Sequence, residues 1–309
     1  MERRVLLVLG AVLVELMLVS IYVMSSGQTD EVERPSKSRA QAIPSGAVKM
    51  TPLSDQHPPV LHSTLWQAPI PLPGPVNTAG AEDSAFVLPD GSSLYFFFTP
   101  DVGEEPQEQI LDEVSGIWRS DWNGTGWEEP VRIWLQEPGK LALDGAAFVL
   151  GERMWFASAR EGHAGVNLFT AGRDEGGWGD WQYAGDLLNQ QYQVGEMHIT
   201  CDGRRMYFHS SRAGGSGGTD IWYTDLADDG WQAPVNVEAV NTAANEAQPF
   251  ISPDGSELWF TRIHLGSPGV FRSSWNGSGW GVPELVLSSF AGEPTLDAEG
   301  NLYFVHHSY

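Results

Sequence analysis

Hydrophobic positions obey three different rules along the chain. From Val5 to Met24 they run on without a period, twenty residues interrupted by a single charge, Glu15. A helix of that length crosses the hydrocarbon core of a bilayer. Arg3 and Arg4 ahead of it predict an N-terminus inside and everything after Met24 outside. Glu15 costs about 3 kcal/mol at mid-membrane, which weakens the span without excluding it. Residues 26–59 lose the apolar pattern and are rich in Ser, Pro, Gln and charge, the composition of a solvated tether. From Val60 onward, short apolar runs alternate with Gly-containing turn signals, the period of strands. The expected organisation is an anchor over 1–25, a disordered linker over 26–59 and one all-β domain over 60–309. A cleavable signal peptide is the rival reading of the first segment, since Val23-Met24-Ser25 resembles a small-residue processing site. Both readings export the β domain.

Within the β region the pattern repeats. A Gly-containing turn followed by an aromatic strand occurs five times: DGSSLYFFF at Asp90, GERMWFAS at Gly151, DGRRMYFHS at Asp202, DGSELWFTR at Asp254 and EGNLYFVHH at Glu299. The first apolar residues, Leu94, Met154, Met206, Leu258 and Leu302, are spaced by 60, 52, 52 and 44 residues, a period of propeller-blade size. A Trp closing each unit also occurs five times, at Trp66, Trp127, Trp181, Trp231 and Trp280. The first Trp precedes any complete unit and the last aromatic strand has none after it, so the two chain ends are expected to share one blade. The fold class is therefore an all-β, five-bladed β-propeller closed by strands from both termini, which removes free sheet edges. Third strands are clear in four units only. The shared blade either lacks one or takes it from Val60 to Ser63. Asn123-Gly124 and Asn276-Gly277 are expected to form type I′ hairpin turns.

NEAQPFISPDGSELWF from Asn245 to Phe260 and HSSRAGGSGGTDIWYTD from His209 to Asp225 resemble the Pro-Asp repeat of TolB-type, WD-like β-propellers. With degenerate copies the resemblance covers residues 60–309. It implies four-stranded blades, export to the periplasm or cell surface, and a binding or scaffolding role without chemistry. It implies no single ligand. The second unit departs from it by replacing the Pro-Asp turn with Leu150-Gly151, and only the third keeps the full Ser-Arg-x-Gly-Gly hairpin.

Charge narrows the partners. Forty Asp and Glu against 17 Lys and Arg give a net charge of -23, which repels phosphate backbones and makes nucleic acid a poor partner. Cys201 is the only cysteine, so no intramolecular disulfide and no multi-cysteine metal site forms.

Candidate chemistry concentrates on carboxylates of the first strands. Glu82, Asp144 and Glu246 share one repeat position, and Glu196 and Glu293 fall two residues later, where the fourth unit has Gln248. An offset of two keeps the strand face, so five acids are expected to ring one mouth of the channel as a ligand-binding site. Ca²⁺ at Glu82, Asp144 and Glu246 is the one cofactor they point to; the competing reading has each acid capping a neighbouring blade's backbone donors. Two such acids are also what glycoside hydrolysis needs. Arg212 is expected to pair with Asp220 across its hairpin as a structural contact. The histidines lack ligand spacing, and His306 and His307 should face opposite ways. No catalytic motif is present. The function expected is a membrane-tethered, extracytoplasmic binding or scaffolding module, periplasmic or on the cell surface, for an envelope protein or a cell-wall carbohydrate. The alternative is a carbohydrate-active enzyme using the channel carboxylates.

Overall fold

The computed structural model describes residues 5–9, 37–137, 139–174, 177–189 and 195–307. Its strands form five sheets in a propeller-like arrangement. The first runs Ala81–Val87, Ser93–Thr99, Gly116–Asp121, Val131–Arg132, and the second Ala142–Leu150, Arg153–Arg160, Val166–Asp174, Gly177–Tyr183. The third begins Met197–Ile199, Arg205–Ser210, Asp220–Ala227, and the last of these carries both Gly230–Trp231 and Val235–Asn236. The fourth is Glu246–Ile251, Glu257–His264, Ser267–Ser274, Glu284–Ser288, Val60–Leu61. The fifth joins Ala291–Leu296 and Leu302–His306 from one end of the chain to Val5–Leu9 and Ile70–Pro71 from the other.

The repeated aromatic strands are second in every sheet. Their leading residues Leu94, Met154, Met206, Leu258 and Leu302 are each 0% exposed, as are Phe96, Phe156, Phe208, Phe260 and Phe304 two places on. The intervening Tyr95, Trp155, Tyr207, Trp259 and Tyr303 are buried as well. Both faces of each strand are thus covered, which is what packing sheet against sheet requires. The turns ahead of them close because a glycine supplies left-handed backbone, with φ of 70° at Gly91, 72° at Gly203 and 72° at Gly255. The preceding aspartate accepts from the amide two residues on, at 3.0 Å for Asp90, Asp202 and Asp254 alike.

Three expectations need correction. Val5–Leu9, part of the expected membrane helix, is an extended strand parallel to Leu302–His306 and to Ile70–Pro71. Among the described residues no helix is long and apolar enough to cross a membrane; residues 10–36, the rest of that anchor and the start of the linker, lie outside them. The physical reason for the strand is the open edge of Leu302–His306, whose amides and carbonyls need partners. Val60–Leu61 does not complete that sheet but pairs with Glu284–Ser288 at the outer edge of the fourth. The two Asn-Gly turns are four-residue loops closed by Trp122–Trp127 and Trp275–Trp280 bridges. Only the glycines have positive φ there, because each Asn side chain organises its loop itself, Asn123 accepting from the Thr125 and Gly126 amides at 3.0 and 3.1 Å.

Residues 37–59, which the sequence assigns to a solvated linker, lie against the sheets. Ser38 caps the short helix Arg39–Ala42 reciprocally with Gln41, and Arg39 is 2% exposed. Its guanidinium donates to the carbonyls of Pro75 and Val76. Further along, Asp55 reaches His306 at 2.9 Å.

Candidate functional site

The first strands of four sheets share a defect. Register breaks between Asp83 and Phe86, Gly145 and Phe148, Ala247 and Phe250, and Gly292 and Thr295. In each break a non-glycine residue adopts positive φ: Ser84 at 49°, Ala146 at 49°, Gln248 at 54° and Glu293 at 55°. Such backbone costs of order 1–3 kcal/mol and persists where its surroundings impose it. The bulge re-aims one side chain per strand. Ser84–Phe86, Ala146–Phe148, Glu196–His198, Gln248–Phe250 and Glu293–Thr295 together line a central cavity of about 40 Å³.

That cavity holds roughly three waters at about 10–15 Å³ each, far below the ~300–1,000 Å³ of ordinary small-molecule sites. Aromatic rings fill its depth. His198 lies with its ring centroid 4.4 Å from both Phe148 and Phe250. Burial pushes its imidazole down to about 3, so it is neutral.

The five predicted acids separate into two groups. Glu82, Asp144 and Glu246 are 0% exposed and each is tied within the wall. Glu82 accepts from Thr78 Oγ1 at 2.6 Å and pairs with Arg39 at 3.3 Å. Asp144 accepts from Ser158 Oγ at 2.5 Å and Arg160 Nη2 at 2.8 Å. Glu246 accepts from Thr242 Oγ1 and Arg262 Nε, both at 2.6 Å. Burial raises Glu82 to about 7 against the pull of Thr78 and Arg39. These three do not converge, so the expected Ca²⁺ seat among them is not formed; each already has a cation. Only Glu196 and Glu293 line the cavity. The offset-of-two rule fails because the second position is itself the bulged residue, at Ser84, Ala146, Gln248 and Glu293, which breaks the alternation.

Glu293 is the centre of a polar cluster that also draws on the first sheet. Its Oε2 accepts from the Ser84 amide and its Oε1 from Gln248 Nε2, both at 2.6 Å. Ser84 Oγ donates to Glu196 at 3.1 Å, and Gln248 N donates to His209 Nδ1 at 3.2 Å. Behind Glu293, Asp83, Glu293 and His307 each place one donor atom within 4.8 Å of the others. All three are buried, at 5%, 5% and 3% exposure. Burial raises Asp83 to about 7, with a hydrogen bond to Glu293 opposing. Burial and the Asp83 charge hold Glu293 well above the carboxylate range. Burial and neighbouring His306 lower His307 to about 4.

Sequence reasoning misses Asp83 altogether, and His307 as a partner for it. A signal exists: aligned with Asp83 stand Gly145, Gly195, Ala247 and Gly292, so a carboxylate occupies a position otherwise kept small. His306 and His307 do face apart, one toward Asp55 and one toward Glu293. Asp220 accepts from the Ser216 amide at 3.0 Å and caps the Gly-rich hairpin. Arg212 donates to Ser210 at 3.1 Å and lies 4.8 Å over the Phe208 ring.

Neither a protein family nor a curated protein matches this chain. Among solved structures, TolB from Acinetobacter baumannii matches at 14% identity and a TM-score of 0.46 over 73% of this chain. The match covers 48% of that protein, so the chain spans about half its length. An endo-arabinase from Bacteroides thetaiotaomicron matches at 14% identity and 0.44, over 72% of this chain and 87% of its own. A TolB protein from Agrobacterium tumefaciens matches at 14% identity and 0.42, over 74% and 90%. TolB proteins, the group that the Pro-Asp repeats resemble, stand among the structural neighbours.

Proposed function

We propose that the five sheets are the blades of a propeller that works as a binding or scaffolding module outside the cytoplasm. The observation that carries this reading is the channel itself: three of its five candidate acids are engaged in wall contacts, and the remaining cavity of about 40 Å³ is plugged by rings. A sugar ring does not fit, so the carbohydrate-active alternative loses its site. Binding then falls to the outer surfaces, where a partner from the cell envelope is the class expected. The half-exposed Trp122 and Trp275, on equivalent loops of two sheets, offer flat aromatic surface of the kind that anchors protein interfaces.

The test uses the full chain with a panel of oligosaccharides and peptidoglycan fragments, read by product formation and by thermal unfolding. No turnover and no shift are expected. A ligand at about one hundred times its dissociation constant adds roughly 2.7 kcal/mol, so saturable binding is easily seen. An oligosaccharide shift abolished by Glu293→Gln would overturn the reading in favour of the enzyme. A C-terminal reporter that is active only outside the cytoplasm tests the topology; an inactive fusion at normal abundance refutes export.

A further inference from the structure

We propose that Asp83, Glu293 and His307 form a site for one divalent transition-metal ion of the zinc class, built across the seam where the first and fifth sheets meet. The inference stands apart from what the outer surfaces bind. Asp83 comes from the first strand of the first sheet, Glu293 from the first strand of the fifth, and His307 directly follows the second strand of the fifth.

Three observations carry it. The donor atoms lie within 4.8 Å of one another in a buried place. Asp83 Oδ1 has no hydrogen-bond partner among the described residues, although its side chain is more than nine-tenths buried. Buried polar atoms are rarely left so. Finally, the cluster lacks the counter-charge that its neighbours have. Glu82, Asp144 and Glu246 each meet an arginine, whereas among the described residues no arginine or lysine pairs with Asp83 or Glu293. What faces them is the His307 imidazole, whose Nε2 stands 3.8 Å from Glu293 Oε1.

Two carboxylate oxygens and one imidazole nitrogen suit Zn²⁺, which takes three protein ligands and a water at about 2.0–2.2 Å; Ca²⁺ and Mg²⁺ favour all-oxygen shells. Tetrahedral donors at that radius stand roughly 3.4 Å apart, so the side chains draw inward on binding. The cavity beside Glu293 has room for the water. The Ser84 amide and Gln248 fix the Glu293 carboxylate from outside, the support that ligands commonly receive. Gly292 admits the histidine, because a Cβ there would lie 2.7 Å from His307 Nε2. Binding takes deprotonated carboxylates and a neutral imidazole, so a proton held by these groups is released to solvent on metal entry, and no electron moves.

The experiment is calorimetric titration of chelator-stripped full chain with Zn²⁺, in two buffers of different protonation enthalpy. One ion per chain, release of about one proton and weaker binding at lower pH are expected. Asp83→Asn and His307→Gln should each weaken binding at least tenfold. Co²⁺ on the unmodified chain should give visible absorption that Zn²⁺ removes, a readout independent of how the variants fold. Absence of both saturable heat and Co²⁺ absorption would overturn the proposal and leave a proton-sharing carboxyl pair. Unchanged affinity in both variants, or preference for Ca²⁺ over Zn²⁺, would overturn it equally.

Discussion

Arg39 and Arg262 do the same work from different parts of the chain. In the fourth sheet Arg262 stands opposite Glu246 in register, 5.2 Å over Phe260 and 4.6 Å over Phe271, and donates to the Val240 carbonyl. In the first sheet the register position opposite Glu82 is Phe98, which has no charge to give. Arg39 arrives from the linker instead, 5.3 Å over Phe96 and 5.5 Å over Trp118, and donates to the equivalent Val76 carbonyl. Removing one partner of a buried pair costs about 3–5 kcal/mol, so Arg39→Met should lower stability by that order in urea unfolding. Glu82→Gln in the same chain should restore part of it.

The buried acids also set a pH dependence. Asp83 has a folded value of about 7 against an ordinary 3.8, so its contribution to stability is complete below about 4 and lost as pH rises through 7. His307 has the opposite sign, contributing fully above 6.5 and losing that contribution as pH falls through 4. The two oppose each other in the intervening window, so the slope must be read by comparison. In chelator, Asp83→Asn should gain stability relative to the unmodified chain on going from pH 5 to pH 8. A flat difference would mean that Asp83 is not desolvated.

Among elements, the aromatic second strands were legible because their information is local: a turn, a glycine and three consecutive buried positions recur in every unit. The bulged first strands were not. Alternation assigns faces only while the pleat is regular, and nothing in the residue types of Ser84 or Gln248 marks the break. Asp83 was hidden for the same reason, since its meaning depends on a histidine in another sheet. Gly292 reports on that contact directly. Gly292→Ala should cost about 1–3 kcal/mol in denaturant unfolding and displace His307, the new methyl also lying 3.2 Å from Thr261. Gly126→Ala, with nothing within 4 Å of its Cβ, should be near neutral.

At the scale of the molecule, ring closure rests on more than the strands the sequence assigned to it. The linker brings a cation to the first sheet at Glu82 and an anion to the fifth at His306, whose side chains are 0% exposed. Its composition could not reveal this, because a solvated tether and a docked strap are written in the same polar residues. A chain begun at residue 37 should therefore be more stable than one begun at Val60 by about 3 kcal/mol or more, measured by chemical unfolding. Equal stabilities would mean that the two pairs merely decorate the surface.

Asp55 and His306 lie 251 residues apart in sequence. The strap can fasten only after the final strand has been made, which places closure at the end of folding. It also bears on how the ring carries load. A pull on the N-terminal end is borne first by Val5–Leu9 within the fifth sheet and only then by the Arg39 and Asp55 contacts, so the closing sheet takes the strain before the strap does.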